Sequence, residues 1–185
     1  QPRSRGLGDV YKRQALGTLT ITKSAGTTFS STVNAATIAL TDSKVSTNIT
    51  FSGNVTATTG LTVSAGTAAY NVVFNGASNT IAGATTFLNT GSVTLGNGSD
   101  TINFTAGVTA TAPSSKTING TITAAGTGVI NLGTTGVTVS GSSTVGGTST
   151  GQITLGAATL ADGVTLTIGT GIANTLSLSS ITGTT

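Results

Sequence analysis

Residues 15–185 carry six fixed charges: the carboxylates Asp42, Asp100 and Asp162 and the ammonium groups Lys23, Lys44 and Lys116. Two carboxylates can run hydrolytic chemistry when they stand roughly 5–10 Å apart. Here the three Asp hold different places in the local pattern. Asp162 directly precedes Gly163, whereas Asp100 follows Gly98 by two residues, so no catalytic pair is expected. The chain has no His and no Cys. It therefore lacks the commonest general base and metal ligand, and it has no thiolate for catalysis, zinc or disulfides. Ser and Thr hydroxyls abound, yet none has an imidazole to activate it. The expectation is a non-enzyme with no catalytic residue and no cofactor. The three lysines, each isolated in sequence, are expected to keep a sheet edge or corner soluble.

The best local motif for a metal is Leu95-Gly96-Asn97-Gly98-Ser99-Asp100-Thr101-Ile102-Asn103. It resembles one copy of the calcium-binding nonapeptide of repeats-in-toxin proteins, with Leu95 in place of the first glycine. In that family calcium lies between consecutive turns, so one copy implies half a site, with Asp100 as the candidate ligand. No second copy follows it, and the segment also reads as a Gly-Asn-Gly corner leading into a strand. Sequons at Asn48, Asn54, Asn97, Asn103 and Asn119 follow from the abundance of Thr and Ser. Thr-x-Thr pairs begin at Thr20, Thr56, Thr109, Thr121 and Thr165. Such pairs resemble the ice-binding faces of some antifreeze solenoids, which place one pair at the same point of every coil. Here they share no common offset and read as ordinary outward-facing strand threonines. Tyr70 reads as a corner residue packing on the coil.

The elements that must carry these residues are strands. Charged residues make up 6% and aromatics 4% of the chain, which fits neither a disordered acidic tail nor a nucleic-acid binder. Abundant β-branched residues favour strands, and Gly and Asn favour turns. No apolar run reaches the ~20 residues of a membrane-spanning helix, so no direct membrane insertion is expected. The first fourteen residues differ in kind. They hold Arg3, Arg5, Lys12 and Arg13, four of the seven basic residues. Ser4 to Gln14, SRGLGDVYKRQ, resembles the translation of a transposase-type sequencing adapter and is set aside from fold reasoning as a non-native, disordered tail. Without residues 1–14 the segment is net neutral, three Lys against three Asp, and no acidic partner or nucleic acid is implied.

A repeat of about 22 residues runs through 15–185. Thr28-Phe29-Ser30-Ser31-Thr32-Val33 recurs 22 positions later as Thr50-Phe51-Ser52-Gly53-Asn54-Val55. Turn glycines follow at 53, 76, 98, 120, 141 and 163. An apolar column is expected through Leu40, Val63, Phe87, Val108, Leu132, Leu155 and Leu178. Within each repeat apolar residues alternate with Thr, Ser or Asn, as in Ile49/Phe51 and Ile153/Leu155. That period of two marks strands with one buried face. A fixed period with short strands specifies a right-handed parallel β-solenoid (β-helix) of about seven coils, a rod roughly 34 Å long at ~4.8 Å per coil. Phe29, Phe51 and Phe74 should stack in the early coils. Leu95 or Gly96 should end that stack and force the core to repack, with Ile118, Val139 and Leu160 following. Asn75, Asn97 and Asn119 should form an amide ladder. Pro113, and the run from Gly146 to Gly151, should be corners or loops.

Ile49-Thr50-Phe51-Ser52-Gly53-Asn54-Val55, Val93-Thr94-Leu95-Gly96-Asn97-Gly98 and Ile130-Asn131-Leu132-Gly133 resemble the passenger repeats of autotransporter and filamentous-haemagglutinin-like adhesins. The resemblance spans 15–185. It implies export to the bacterial cell surface, a stiff stalk or adhesin role, host or neighbouring-cell surfaces or glycans as partners, and further solenoid repeats at both ends. Two other classes suit the same repeats: a ligand-binding solenoid for ice or glycan, favoured by Thr in three or more consecutive coils, and a phage-fibre or surface-layer repeat.

Overall fold

The computed structural model describes residues 16–169 and 174–184. The adapter-like segment 1–14 lies outside the described residues. Among the described residues, seventeen strands follow one another with no helix between them. They are β1 (Leu16–Ile21), β2 (Thr27–Phe29), β3 (Val33–Leu40), β4 (Asn48–Phe51), β5 (Val55–Val63), β6 (Asn71–Phe74), β7 (Ser78–Ile81), β8 (Thr85–Thr86), β9 (Ser92–Phe104), β10 (Val108–Thr109), β11 (Ser115–Ala124), β12 (Ile130–Asn131), β13 (Val137–Val139), β14 (Ser143–Gly147), β15 (Ile153–Leu160), β16 (Leu166–Ile168) and β17 (Leu176–Gly183).

Every pairing is parallel, between segments about one repeat apart. The chain therefore winds as a β-solenoid of about seven coils with three faces. Face one stacks β1, the second half of β3 and of β5, then β8, β10, β12 and the first halves of β15 and β17. Face two stacks β2, β4, β6, the first halves of β9 and β11, β13 and the second halves of β15 and β17. Face three stacks the first halves of β3 and β5, then β7, the ends of β9 and β11, β14 and β16.

Alternation drives this winding, because the strands from β3 to β15 bury roughly every second side chain and the buried ones stack on their equivalents in the next coil. On face two Phe29, Phe51, Phe74, Leu95, Ile118, Val139 and Leu160 form one column, as the repeat predicts. Phe29 and Phe51 stack at 5.0 Å between ring centroids, and Phe51 and Phe74 at 4.9 Å. Leu95 then ends the aromatic run, and the core repacks as expected. Phe87 on face one meets Phe74 edge-on at 6.5 Å, and Phe104 on face three meets Phe87 edge-on at 6.1 Å.

Three expectations need correction. The face-one column passes through Ala110, not Val108. Val108 pairs with Thr85 and Ile130, which puts Ala110 on the line from Phe87 to Leu132. The small Ala110 hides there from a hydrophobicity count. The amide ladder of Asn75, Asn97 and Asn119 does not form. Phe74 pairs with Leu95 and Leu95 with Ile118, so Gly96 stands between Asn75 and Asn119. The amide contact that does form is Asn71 Nδ2 to Asn48 Oδ1, 2.9 Å, with Asn71 Oδ1 accepting the Ser92 N–H at 2.8 Å. Finally, Gly98 leaves the glycine column, because Gly120 pairs with Asp100 while Ile118 pairs with Leu95. Asn97, Gly98 and Ser99 bulge outward between them.

Candidate functional site

Asp42, Tyr70 and the ammonium groups of the three lysines gather along one edge, the corner between faces one and two. From Leu40 onward the corner shrinks along the rod. Eight residues separate Leu40 from Ile49 and Val63 from Val72, but two separate Leu155 from Ala158. The long corners leave room for a buried polar cluster centred on Asp42.

Asp42 is buried, and its carboxylate is saturated with donors. Oδ1 accepts the Ser43 and Thr67 N–H groups at 3.0 and 3.2 Å, and Oδ2 accepts the Thr67 hydroxyl at 2.7 Å. Lys23, largely exposed, holds its Nζ 3.9 Å from Oδ2. The Thr67 hydroxyl is the main cause that holds the carboxyl below the usual Asp value, with backbone N–H groups adding to it against desolvation. Gly66 turns the next corner at φ +70°, where a Cβ would strike Asp42 Oδ1, so the turn closes over the carboxylate only with glycine. Beneath it Ser43, fully buried, shares hydrogen bonds with the Ser24 and Thr47 hydroxyls, both at 2.9 Å. Tyr70 is fully buried, and its Oη donates to Ser64 O at 2.6 Å, with Leu40 O at 3.3 Å as second acceptor. Burial first, and the Asp42 charge second, push its phenol up to about 12.

This arrangement is poor catalytic equipment. A general base works best with a pKa near the working pH, whereas Asp42 is driven down and Tyr70 up. What the cluster does well is tie three successive corners together.

Lys116 departs from its expected role at a soluble corner. It pairs with Val93 on one side and Val137 on the other, at an inward position of face two, and is 2% exposed. Its stem lies in the apolar column, and its ammonium reaches the corner to donate to Pro113 O at 3.1 Å and to the Thr135 hydroxyl. Burial lowers its pKa. Among the described residues the one ion pair is Lys23–Asp42, so no carboxylate compensates Lys116. The sequence misleads because Ser115-Lys116-Thr117 is polar throughout. Only the 21–23-residue offsets to Val93 and Val137 betray the inward position. Lys44 is exposed.

The other two carboxylates lie elsewhere, between faces two and three. Asp100 is buried, and its Oδ2 accepts the Asn97 N–H at 2.8 Å. It clasps the outward bulge, and Gly96 permits the turn at φ +88°, where a Cβ would meet Asn119 O. Asp162 is exposed, before Gly163, three coils on. Asp42, Asp100 and Asp162 are not brought together, and among the described residues no three His, Cys, Asp or Glu side chains gather to hold a metal.

A different feature escaped the pairwise reading of threonines. The Thr-x-Thr pairs fall on different faces, but single threonines align. Thr94, Thr117, Thr138, Thr159 and Thr182 occupy the same outward position of face two in five consecutive coils. Thr28 and Thr50 begin the rank, and Val73 interrupts it. Flanking ranks carry Ser, Asn, Gly and Ala, with no charge. The signal in the sequence is the residue just before each face-two core position.

No family model, curated protein or solved structure matches this chain.

Proposed function

We propose that residues 15–185 are a structural stalk or adhesin segment of a secreted bacterial cell-surface protein, with no catalytic activity. The observation that carries this reading is the continuity of the parallel ladder through eight rungs on each of faces one and two. Pulling such a rod sideways breaks backbone hydrogen bonds and interior packing together, which suits a spacer that projects other modules. The polar groups it buries are spent on corners and bulges rather than aimed into a cleft. Near-neutral charge favours weak, hydroxyl-mediated contact with host surfaces or glycans over electrostatic capture. The test places the chain between a surface anchor and a binding module of known ligand on a Gram-negative cell. A stalk increases capture by a ligand-coated surface relative to a flexible Gly/Ser insert of equal length. Equal capture by the two inserts sinks the reading.

The threonine rank on face two favours a second reading, a binding face for an uncharged periodic ligand such as ice or a polysaccharide. Methyl and hydroxyl groups repeat there at the ~4.8 Å rung spacing, without charges to hold a competing water shell. Ice-growth and glycan-retention assays test it. Thr117→Lys with Thr138→Lys should abolish any activity found, and retained activity places the ligand elsewhere.

A further inference from the structure

The chain contains three Asn-Gly dipeptides, Asn75-Gly76, Asn97-Gly98 and Asn119-Gly120. An Asn followed by glycine is open to attack from its own backbone. With no Cβ on the next residue, the glycine nitrogen can swing onto the Asn side-chain carbonyl carbon. The attack needs room for that swing and a nitrogen that local structure does not hold, so the fold decides which pair can react.

Two of the pairs are locked. Gly76 is buried, and a Cβ there would lie 2.4 Å from Gly53 O. Its carbonyl accepts the Asn79 amide at 2.6 Å, and the Asn75 N–H donates to Phe51 O at 2.8 Å. Gly120 is also buried, and its N–H donates to the Ser143 hydroxyl at 3.1 Å. The Asn119 amide lies against Gly141, where a Cβ would strike its Oδ1. Asn97 stands in the β9 bulge instead. Among the described residues, 96–99 have no register partner in either neighbouring coil, because β9 pairs up to Leu95 and resumes at Asp100 and Thr101. Asn97 and Ser99 are exposed, and a Cβ built on Gly98 would meet nothing within 4 Å. The bond from the Asn97 N–H to Asp100 Oδ2 anchors the bulge through the backbone and does not engage the side-chain amide.

We propose that Asn97 is the site at which this chain deamidates while folded, with water as the only reagent. The Gly98 nitrogen bonds to the Asn97 side-chain carbonyl carbon, the bond from that carbon to the amide nitrogen breaks, and ammonia leaves with the proton from Gly98 N. Water then opens the cyclic imide. Opening at the side-chain carbonyl gives aspartate, and opening at the backbone carbonyl gives isoaspartate, in which the main chain runs through the former side chain. Either product adds a carboxylate three residues from Asp100. Residues 15–185 then carry three Lys against three Asp plus the new carboxylate. A neutral rod so gains one negative charge at the edge between faces two and three, and the ladder is spared because the bulge lies outside it.

The test is peptide mapping by mass spectrometry of the full chain, kept folded in mildly alkaline buffer and sampled over time. Aspartate and isoaspartate should appear at position 97 about tenfold or more faster than at 75 or 119, where packed structure must open first. In denaturant the three sites should converge, since they share one dipeptide. Gly98→Ala, for which the bulge has room, should slow the loss of Asn97, and Asn97→Gln should abolish the acidic species on ion exchange. Both variants should keep the β-sheet circular dichroism. An Asn97 that stays intact in the folded chain overturns the proposal. So does conversion of Asn75 or Asn119 at the same rate in the folded chain, or a lead at Asn97 that persists undiminished in denaturant.

Discussion

Asp42, Tyr70 and Lys116 each tie stability to pH, Asp42 and Lys116 so that it rises with pH and Tyr70 so that it falls. Asp42 titrates below its ordinary value of 3.8 in the folded chain. Its contribution is therefore intact above that value and is lost as pH falls through it toward the folded pKa. Acid titration of the melting temperature should show this loss, and Asp42→Asn should flatten it. Tyr70 keeps its proton up to about 12 against an ordinary 10.0. The unfolded phenol ionises first, so stability falls as pH rises from 10.0 toward 12, and Tyr70→Phe should remove that fall. The same substitution strands Ser64 O without its donor, while Leu40 O keeps the Ser64 N–H, at a cost of about 1–2 kcal/mol near neutrality. Lys116 behaves the opposite way. Its folded pKa lies below 10.5, so the folded chain sheds its proton first and stability rises with pH between the two values. Lys116→Met should abolish that rise in the same melts. These couplings were unreadable in sequence because burial of a lone Lys or Tyr depends on which residues stack above and below it.

At the scale of single elements, the face-two column gives graded costs. Phe51 is fully buried between two stacked rings, while Phe29 is only half-buried at the first rung. Chemical denaturation should show Phe51→Ala costing about 3–5 kcal/mol and Phe29→Ala clearly less. The β9 bulge rests on Asp100. Asp100→Ala removes a carboxylate acceptor from the Asn97 N–H and should cost about 1–2 kcal/mol. The same denaturation measures this loss, and hydrogen exchange at Asn97 should quicken with it. The Phe column was legible because large aromatics recurring at 22-residue steps must stack once the coils share that period. The Ala110 register and the Gly98 bulge were not, since a methyl group and a glycine look the same to a periodicity count whether they point in or out.

For the molecule as a whole, coils contact only their neighbours, so local stability should follow position. Amide exchange should be fastest in β1 and β17, each of which pairs with one strand among the described residues, and slowest in β9 and β11, which pair with neighbours on both sides. The sequence by itself determined the architecture: a strand period of two nested in a period of about 22 admits few packings other than stacked coils. It also determined which reactive groups exist, because composition alone removes imidazole and thiol chemistry. Only the tertiary structure decided where the remaining polar groups go. Corners of two to eight residues and one three-residue bulge shift the offset between coils. Each shift changes which side chain stacks on which, which is why Lys116 lies inside, why Asn75 and Asn119 never meet, and why scattered threonines line up as one rank.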